Sequence, residues 1–284
     1  MHEAGKRRRK LDPEIEARID QIPINTVNDS GQDEFGFNRE SLKAAMPLAL
    51  FLYEKWFRVE TEGIENIPAE GPAIITPNHS GQLPLDGMMI AIAAIKRMEP
   101  PRLPRALVEK WLPTLPFAGW IITRAGPVVG VTENAEKLLT NGELVMIFPE
   151  GALGSGKTWD KRYQIQRFTH GFVELAIKFR APIIPTAVIG GEEQAPSFHN
   201  VKWLAKKLNL LYLPITPTFP WLGALGLIPL PSKYRIYFGK PIDLSEYQDD
   251  LKNPDRIHEH VERVRETVRR MVNGGLKKRP FPGL

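Results

Sequence analysis

Cysteine is absent from all 284 residues of the sequence. This absence excludes disulfide bonds, zinc sites with cysteine ligands and a cysteine nucleophile. A continuous apolar stretch is also missing from the first forty residues, so no signal peptide is indicated and a cytoplasmic protein is expected. No stripe of basic residues is interleaved with aromatic residues as in a nucleic-acid groove, which argues against a nucleic-acid partner.

The charged residues that are present carry a positive balance. Lys and Arg number 38 against 33 Asp and Glu, which gives a formal net charge of +5 and a pI near 9.3. The basic residues concentrate near the two ends of the sequence, at residues 6 to 10 and 277 to 279. A positive balance suits an anionic partner, and a phospholipid surface is the partner we expect, although either cluster could equally be a solvated tail.

The part of the chain before residue 60 divides into two segments. Residues 1 to 39 are rich in charge and in Asn, Gln and Gly, which predicts a mobile or loosely docked arm. Residues 40 to 59 contain an amphipathic helix that Pro47 would bend, with Trp56 and Phe57 beside basic neighbours. Such a mixture is expected of a helix at a bilayer interface, and equally of an ordinary amphipathic helix packed on the domain.

From residue 60 to residue 274 the sequence alternates short apolar segments of β type with helical ones. This alternation predicts an α/β fold, a mostly parallel mixed sheet flanked by helices. The last helix is expected to begin after Asn253 as its N-cap and to stop at Gly274, which leaves residues 275 to 284 as a basic tail. The predicted strands are 73–76, 105–108, 128–131, 144–148, 183–189 and 234–238, and the predicted helices before the last one are 85–96, 134–139 and 171–180.

One apolar segment does not fit this alternation. Residues 208 to 232 contain no charged residue over 25 positions, a length that could cross a membrane as a helix. Five prolines within the segment forbid a continuous helix, so a transmembrane span is rejected. The segment is instead expected to dip into a membrane interface, to cover a tunnel for an apolar chain, or to pack against the core. The residues expected near its tip are Trp221, Leu222, Leu225 and Leu227.

The first segment that suggests chemistry is PNHSGQLPLDG, residues 77 to 87. It lies where an apolar strand is expected to end and an apolar helix to begin, which is where sites gather in α/β sheets. His79 in the loop and Asp86 in the first helical turn could meet. A carboxylate that accepts from one imidazole nitrogen leaves the other to take a proton from a hydroxyl, which would make His79 a general base. The alternative is a structural loop histidine and an aspartate that favours the positive end of the helix.

Two further segments lie at strand positions. Residues 144 to 151, LVMIFPEG, place Glu150 and Gly151 at the end of an apolar strand, where the carboxylate could bind a polar head group or orient substrate hydroxyls. Residues 181 to 185, APIIP, predict a short strand opened by a proline. Neither segment is specific by itself, because such turns are common in loops.

Taken together and in this order, the three segments resemble the sequence blocks of the glycerolipid acyltransferases, over about residues 60 to 242. The resemblance implies a fold like that of glycerol-3-phosphate acyltransferase. It implies that the segment with Asn78 and His79 supplies the base, and that the segment with Glu150 and Gly151 contacts the acceptor. It also implies no metal and no bound cofactor, with acyl-CoA or acyl carrier protein as the co-substrate.

The mechanism implied by the resemblance is direct transfer without a covalent intermediate. His79 would deprotonate the acceptor hydroxyl, which attacks the thioester carbonyl of the donor, and the absence of cysteine agrees with such a route. Asp86 would stabilise the imidazolium, and backbone amides near Gly81 or Gly151 could hold the oxyanion. The expected partners are a lipid acceptor, the acyl donor and a membrane surface to which the protein binds peripherally.

Two positions depart from the family pattern. Six residues separate His79 from Asp86 where the family has four, which we interpret as the longer loop of a divergent branch. The position of the arginine that binds the acceptor phosphate in the family is occupied by Thr132. Arg124 lies just upstream and could bind substrate from another direction, or the acceptor could be neutral.

A different motif overlaps the second segment. Residues 151 to 158, GALGSGKT, satisfy the pattern of a phosphate-binding loop, in which Lys157 would neutralise phosphates and Thr158 would hold magnesium. That pattern would make the protein a nucleotide hydrolase or kinase, but no later apolar strand ends in the aspartate that such enzymes need for the metal. A third alternative is a non-catalytic membrane-binding protein with the same fold.

Overall fold

A mixed β-sheet between two layers of helices forms the body of the protein in a computed structural model. The structure describes residues 11–25, 27–80, 85–110, 112, 119, 123–151, 154, 156–201, 203, 205 and 213–279. Its strands are β1 (Glu60–Glu62), β2 (Ala73–Pro77), β3 (Arg105–Val108), β4 (Val128–Val129), β5 (Leu144–Met146), β6 (Ile183–Ile189), β7 (His199–Asn200), β8 (Pro214–Ile215) and β9 (Arg235–Phe238). Its α-helices are α1 (Pro13–Gln21), α2 (Arg39–Phe51), α3 (Leu85–Arg97), α4 (Thr132–Thr140), α5 (Gly171–Lys178) and α6 (Pro254–Lys277). A π-helical turn, Leu52–Trp56, continues α2, and 3₁₀ turns cover Ile64–Asn66, Trp159–Lys161, Gly191–Glu193, Gly223–Leu227 and Gln248–Lys252.

The main sheet has the strand order β1-β9-β6-β2-β5-β3-β4, and β7 and β8 form a separate hairpin. Strands β2 to β6 run parallel to one another, whereas β9 runs antiparallel to its neighbour β6 and β1 runs parallel to β9. The carboxyl ends of strands β2 to β6 therefore lie on the same side of the sheet, and β1 and β9 begin there. We call this side, where the parallel strands end, the upper edge. The predicted α/β fold with a mostly parallel mixed sheet flanked by helices is confirmed.

The central strands are buried on both faces of the sheet. Every residue of β2 and β6 is buried. Alternate side chains of β2 point to opposite faces, so Ile75 packs in the core formed with α1, α2 and α3, and Ile74 packs in the core formed with α4, α5 and α6. A strand with two buried faces requires apolar residues at nearly every position, which is why its sequence is a continuous apolar run.

The C-terminal helix α6 continues past its predicted end. Asn253 caps its start through its side chain, as predicted. Gly274 was expected to stop the helix, but α6 continues to Lys277. Gly275 lies against the sheet, where an added Cβ would come within 2.4 Å of Ile189 Cδ1. The need for close helix–sheet packing therefore explains a glycine at this point in the helix.

The segment before α2 is packed on the domain wherever the structure describes it. Helix α1 buries Ile15 and Ile19 against α2 and α3. Farther along, Asp33 forms a buried ion pair with Arg105 of β3, with 2.7 Å between Oδ2 and Nη1. The prediction of a mobile arm over residues 1 to 39 is therefore wrong for the described part, because the polar composition conceals apolar residues at helical spacing.

Of the two basic clusters in the sequence, the structure describes only the one near the end of the chain. Residues 6 to 10 lie outside the described residues. At the other end of the chain, the buried guanidinium of Arg279 pairs with the carboxylate of Glu193. The prediction of a separate basic tail over residues 275 to 284 is wrong for its described part, because that part completes α6 and joins the domain through this ion pair.

The apolar segment between β8 and β9 projects large side chains into solvent. Trp221 is 73% exposed and Leu225 is 68% exposed. The alternative of simple burial against the core is therefore wrong for these side chains. Because β9 begins at the upper edge, this segment also lies at that edge. Within the described ranges, no helix has both the length and the apolar character needed to cross a bilayer.

Helix α2 presents apolar side chains to both the core and the solvent. It buries Met46 but leaves Leu48 and Phe51 exposed. The indole Nε1 of Trp56, just after α2, donates to the carbonyl of Pro229 at 3.0 Å, so the end of α2 adjoins the apolar segment at the upper edge. We call the exposed side chains of these two elements the apolar rim, which consists of Leu48, Phe51, Trp221, Leu222, Leu225, Leu227 and Ile228.

Candidate active site

His79 and Asp86 meet at the upper edge, just beyond the end of β2. His79 lies in the loop that follows β2, and Asp86 lies in the first turn of α3. The imidazole Nδ1 is 2.8 Å from Asp86 Oδ2, so the predicted meeting of the two side chains is confirmed. With Nδ1–H donating to the carboxylate, the other ring nitrogen, Nε2, carries the lone pair.

The Asp86 carboxylate is held by donors on both of its oxygens. Its side chain is 0% exposed. Oδ2 also accepts from the backbone amide of Ser80, and Oδ1 accepts from that of Gly87, both at 2.9 Å. These donors compensate the buried charge and keep the carboxylate turned toward the imidazole. Residues 81–84 of the loop lie outside the described residues, and so does the oxyanion contact predicted for Gly81.

The surroundings of His79 make it easier to protonate than an ordinary histidine. Burial opposes the charge on the imidazole, but the negative charge of Asp86 and its hydrogen bond outweigh the burial, and the charge of Glu150 adds to them. Together they raise the pKa of His79 above its usual value of 6.5. The imidazole retains 16% of its side-chain surface exposed, through which a substrate hydroxyl could reach it.

The ring of Phe148 packs against the imidazole of His79. The two ring centroids are 4.5 Å apart and the ring planes are inclined by 35°. Phe148 follows β5, the strand that pairs with β2 in the sheet. The aromatic wall and the Asp86 contact together restrict rotation of the imidazole.

Glu150 is buried and holds the backbone of the residue that carries the imidazole. Its Oε1 accepts from the His79 amide at 2.9 Å, and its Oε2 accepts from the Gln166 amide at 2.8 Å. Contact with an acceptor was predicted for Glu150, but both of its oxygens are turned inward to loop amides. In this arrangement Glu150 holds loop backbone, and its contact with an acceptor stays a prediction.

Gly151 was predicted to bind substrate, and backbone amides near it were expected to hold an oxyanion. The structure shows that this amide donates to the carbonyl of Phe148 at 3.1 Å and closes a turn. The φ angle of Gly151 is +52°, which glycine adopts without strain. The turn accounts for the glycine and uses its own amide, while the substrate-binding role of Gly151 stays a prediction.

Asn78 was also predicted to bind substrate, but its side chain is completely buried. Its Nδ2 donates to the Val188 carbonyl at 3.1 Å, and its Oδ1 accepts from the Val188 amide at 2.7 Å. Asn78 thus fastens the end of β2 to β6, immediately before His79. Both polar atoms of the side-chain amide are used inside the sheet, and the substrate-binding role of Asn78 stays a prediction.

Arg124 and Thr132 flank β4, the edge strand at the end of the sheet away from β9. The carbonyl of Arg124 accepts from the Asn38 amide at 3.1 Å, beside the N-terminal segment. Thr132 begins α4, shortly after β4 ends at the upper edge. The substrate-binding role of Arg124 stays a prediction.

The segment that matches a phosphate-binding loop has a different structure where it is described. The Lys157 ammonium lies 3.1 Å from Glu192 Oε1 and 3.4 Å from Glu150 Oε2. Only 4% of the Lys157 side chain is exposed. The short 3₁₀ turn Trp159–Lys161 follows in place of the helix that should begin after such a loop. A lysine already buried between two carboxylates is not placed to bind nucleotide phosphates.

Gly154, in the same glycine-rich segment, lies too close to His79 and Glu150 to carry a side chain. An added Cβ would lie 2.7 Å from His79 Cβ and 2.5 Å from Glu150 Cβ. Nothing in the sequence indicates this close approach, because glycine in such a run signals only a turn. The pairing of Lys157 with Glu192 is equally hidden in the sequence, since only the fold brings the two residues together.

Comparisons with known proteins give one family model and several relatives. A model of the family described as Acyltransferase matches residues 58–189. A relative from Mycobacterium tuberculosis, named only as an uncharacterized protein, is 43% identical over 249 residues, which are 87% of this chain and 70% of the relative. A chicken protein named "DGAT1/2-independent enzyme synthesizing storage lipids" is 29% identical over 190 residues, which are 66% of this chain and 53% of that protein.

A solved structure is similar over most of the fold. It is the crystal structure of the 1-acyl-sn-glycerophosphate (LPA) acyltransferase PlsC from Thermotoga maritima, with a TM-score of 0.52. The match covers 85% of this chain and 80% of that chain at 20% sequence identity. At this identity the likeness concerns the fold.

Proposed function

Because the chain belongs to the acyltransferase family, we propose that it moves a fatty acyl group from a thioester donor to a hydroxyl of a lipid acceptor, with His79 as the general base. The observation that carries the proposal is the 2.8 Å contact between His79 Nδ1 and the buried Asp86 carboxylate. The contact lies at the edge where the parallel strands end, which is where α/β proteins place their sites.

In the proposed reaction, Nε2 of His79 takes the proton of the acceptor hydroxyl as its oxygen attacks the thioester carbonyl. A C–O bond forms, the C–S bond breaks, and the electron pair of that bond leaves on the donor sulfur. The imidazolium then gives its proton to this thiolate, which releases the thiol and restores the neutral base. Asp86 stabilises the imidazolium between the two proton transfers.

The proposed donor is acyl-CoA or an acylated carrier protein. A thioester can be attacked directly by the acceptor oxygen, so the reaction requires no nucleophile from the enzyme, in keeping with the absence of cysteine. The proposal includes no metal and no further cofactor.

The proposed acceptor is a glycerolipid or another lipid with a free hydroxyl. The uncharged Thr132 at the position of the family's phosphate-binding arginine supports an acceptor without phosphate. The name of the chicken relative, which mentions storage lipids, supports the same choice. Arg124 is the candidate for binding a phosphorylated acceptor.

The proposed location is the surface of a membrane, with the upper edge facing the lipid. The apolar rim lies at that edge, and exposed Lys55 and Arg58 lie beside it, where they could contact anionic head groups. In this orientation the His79 site opens toward the lipids that carry the acceptor hydroxyl.

Replacing Trp221 and Leu225 together with serine is expected to weaken binding to phospholipid vesicles by about 10²-fold to 10⁴-fold, since each inserted side chain contributes about 1.5–3 kcal/mol. Co-sedimentation with vesicles measures the effect. Leu251→Ser is the matched control, because Leu251 is also exposed but precedes α6 at the other end of the molecule. Equal binding by the double variant and the wild type would contradict the proposed orientation.

The function is tested by incubating the purified protein with radiolabelled acyl-CoA or acyl carrier protein and vesicles that contain one acceptor at a time. One set of vesicles carries diacylglycerol and another carries lysophosphatidate. Labelled lipid product is expected in at least one set and identifies the acceptor class. Vesicle binding without any product would favour the non-catalytic alternative. Hydrolysis of ATP in a parallel incubation would favour the nucleotide hydrolase or kinase that the phosphate-binding loop pattern predicts.

A further inference from the structure

Lys157 occupies a buried position between two carboxylates beside the proposed active site. Its ammonium lies 3.4 Å from Glu150 Oε2 and 3.1 Å from Glu192 Oε1. It also donates to the carbonyl of Gln164 at 3.2 Å. All three side-chain groups are nearly inaccessible to solvent, so water cannot screen the repulsion between the two carboxylates if the ammonium is removed.

Glu150 connects this ammonium to the base. Its Oε2 faces the Lys157 ammonium, and its Oε1 accepts from the backbone amide of His79 at 2.9 Å. A rotation of Glu150 away from Glu192 would therefore remove the acceptor of the His79 amide. The loop that carries the imidazole would then be free to shift relative to Asp86.

We propose that Lys157 is a positioning residue for acyl transfer: its ammonium separates Glu150 from Glu192 and thereby keeps Glu150 on the backbone amide of His79. The inference rests on the proposed function, because it takes His79 as the base. It assigns a role to the lysine of the GALGSGKT segment, which neither a phosphate-binding loop nor a simple turn explains.

Direct binding of the donor by Lys157 is the competing role. Only 4% of the lysine side chain is exposed, and its ammonium already has two carboxylates and a carbonyl within reach. A substrate phosphate would have to displace these groups. The two roles differ in what is expected when the lysine and Glu192 are changed together.

Lys157→Met is expected to lower kcat for acyl transfer by about 10-fold to 10²-fold, because a small misplacement of a catalytic group has effects of this size. KM for the donor is expected to stay within about threefold of the wild-type value, since the lysine does not touch the donor. The measurement uses the full chain with vesicles, below the melting temperature of every variant, with the folded fraction determined by circular dichroism.

The pH profile of kcat/KM gives a second readout. Asp86 and Glu150 face His79 and raise its pKa, whereas Lys157 lowers it. Loss of the lysine charge alone would move the acidic limb of the profile to higher pH, whereas the proposed shift of His79 away from Asp86 and Glu150 is expected to move it to lower pH.

The rescue variant Lys157→Met/Glu192→Gln separates the roles. It removes the lysine together with the acid that the lysine holds away from Glu150, so kcat is expected to return to within about threefold of the wild type. Lys161→Met is the matched control, an exposed lysine in the adjoining 3₁₀ turn, and is expected to retain wild-type kcat.

Two results would overturn the proposal. If Lys157→Met lowers only the melting temperature and the folded enzyme keeps its kcat, the lysine is purely structural. If the double variant remains as slow as Lys157→Met, the lysine does not act through the carboxylates. Absence of transfer by the wild-type protein would instead contradict the proposed function.

Discussion

Replacing His79 with alanine is expected to lower kcat/KM for acyl transfer by about 10³-fold, because the acceptor hydroxyl then loses the base that takes its proton. The imidazole is fixed by Asp86 on one nitrogen and packs against Phe148, so no neighbouring group can replace it without rearrangement. Transfer of radiolabel from acyl-CoA to vesicle lipid measures the loss.

A second variant distinguishes loss of the base from loss of structure. In His79→Asn, the side-chain amide of the asparagine can still donate to the Asp86 carboxylate. It has no nitrogen that accepts a proton near neutral pH. It is expected to fold with a melting temperature close to the wild-type value and to be as inactive as His79→Ala. Near-normal turnover by either variant would remove His79 from the mechanism.

The chain offers a matched control for this experiment. His260 also pairs with an aspartate, Asp250, at 2.8 Å. It lies in α6, about 22 Å along the helix axis from Gly275, which packs against the upper end of β6. His260→Ala therefore removes a similar pair far from the upper edge, and activity is expected to remain at the wild-type level.

Asp86→Asn is expected to lower kcat by on the order of 10²-fold, because the imidazolium loses its counter-charge. The shape of the site offers no good orientation for the new amide. Oδ2 of Asp86 faces donors from His79 and Ser80, and Oδ1 faces the amide of Gly87. Whichever way the asparagine turns, its NH₂ group faces another donor.

The same substitution is expected to change the pH dependence in a defined direction. A general base must be neutral, so the rate rises as the pH increases through the pKa of His79. Asp86 raises that pKa against the effect of burial. With Asp86 replaced, burial dominates, and the acidic limb of the kcat/KM profile is expected to move to lower pH.

The control is Asp250→Asn, which should change neither the rate nor the acidic limb. An Asp86→Asn profile with its acidic limb at or above the wild-type position would contradict the assignment of that limb to the imidazole.

The part of the fold that sequence could predict is the part governed by local pattern. Strands β3 and β6 have the predicted bounds, because each is a short, largely apolar segment between turn signals. The contact of His79 with Asp86 could be anticipated, since both residues lie between one strand end and the first turn of the next helix.

The part that sequence could not predict concerns side-chain direction and long-range contact. Asn78 and Glu150 stand in the expected segments, but nothing in the sequence reveals that their polar atoms turn inward to Val188 and to the amide of His79. Likewise, the polar composition of the N-terminal segment gave no sign of its few buried residues. Such contacts depend on which elements the fold brings together.

The packed N-terminal segment limits where the protein can be shortened for laboratory work. A recombinant version that begins at α2 would lack Asp33, and Arg105 would lose that buried partner. It would also uncover the apolar surface of α2 and α3 on which Ile15 and Ile19 rest, and exposed surface of this kind promotes aggregation. Expression boundaries are therefore best placed before α1, with any affinity tag attached upstream of Pro13.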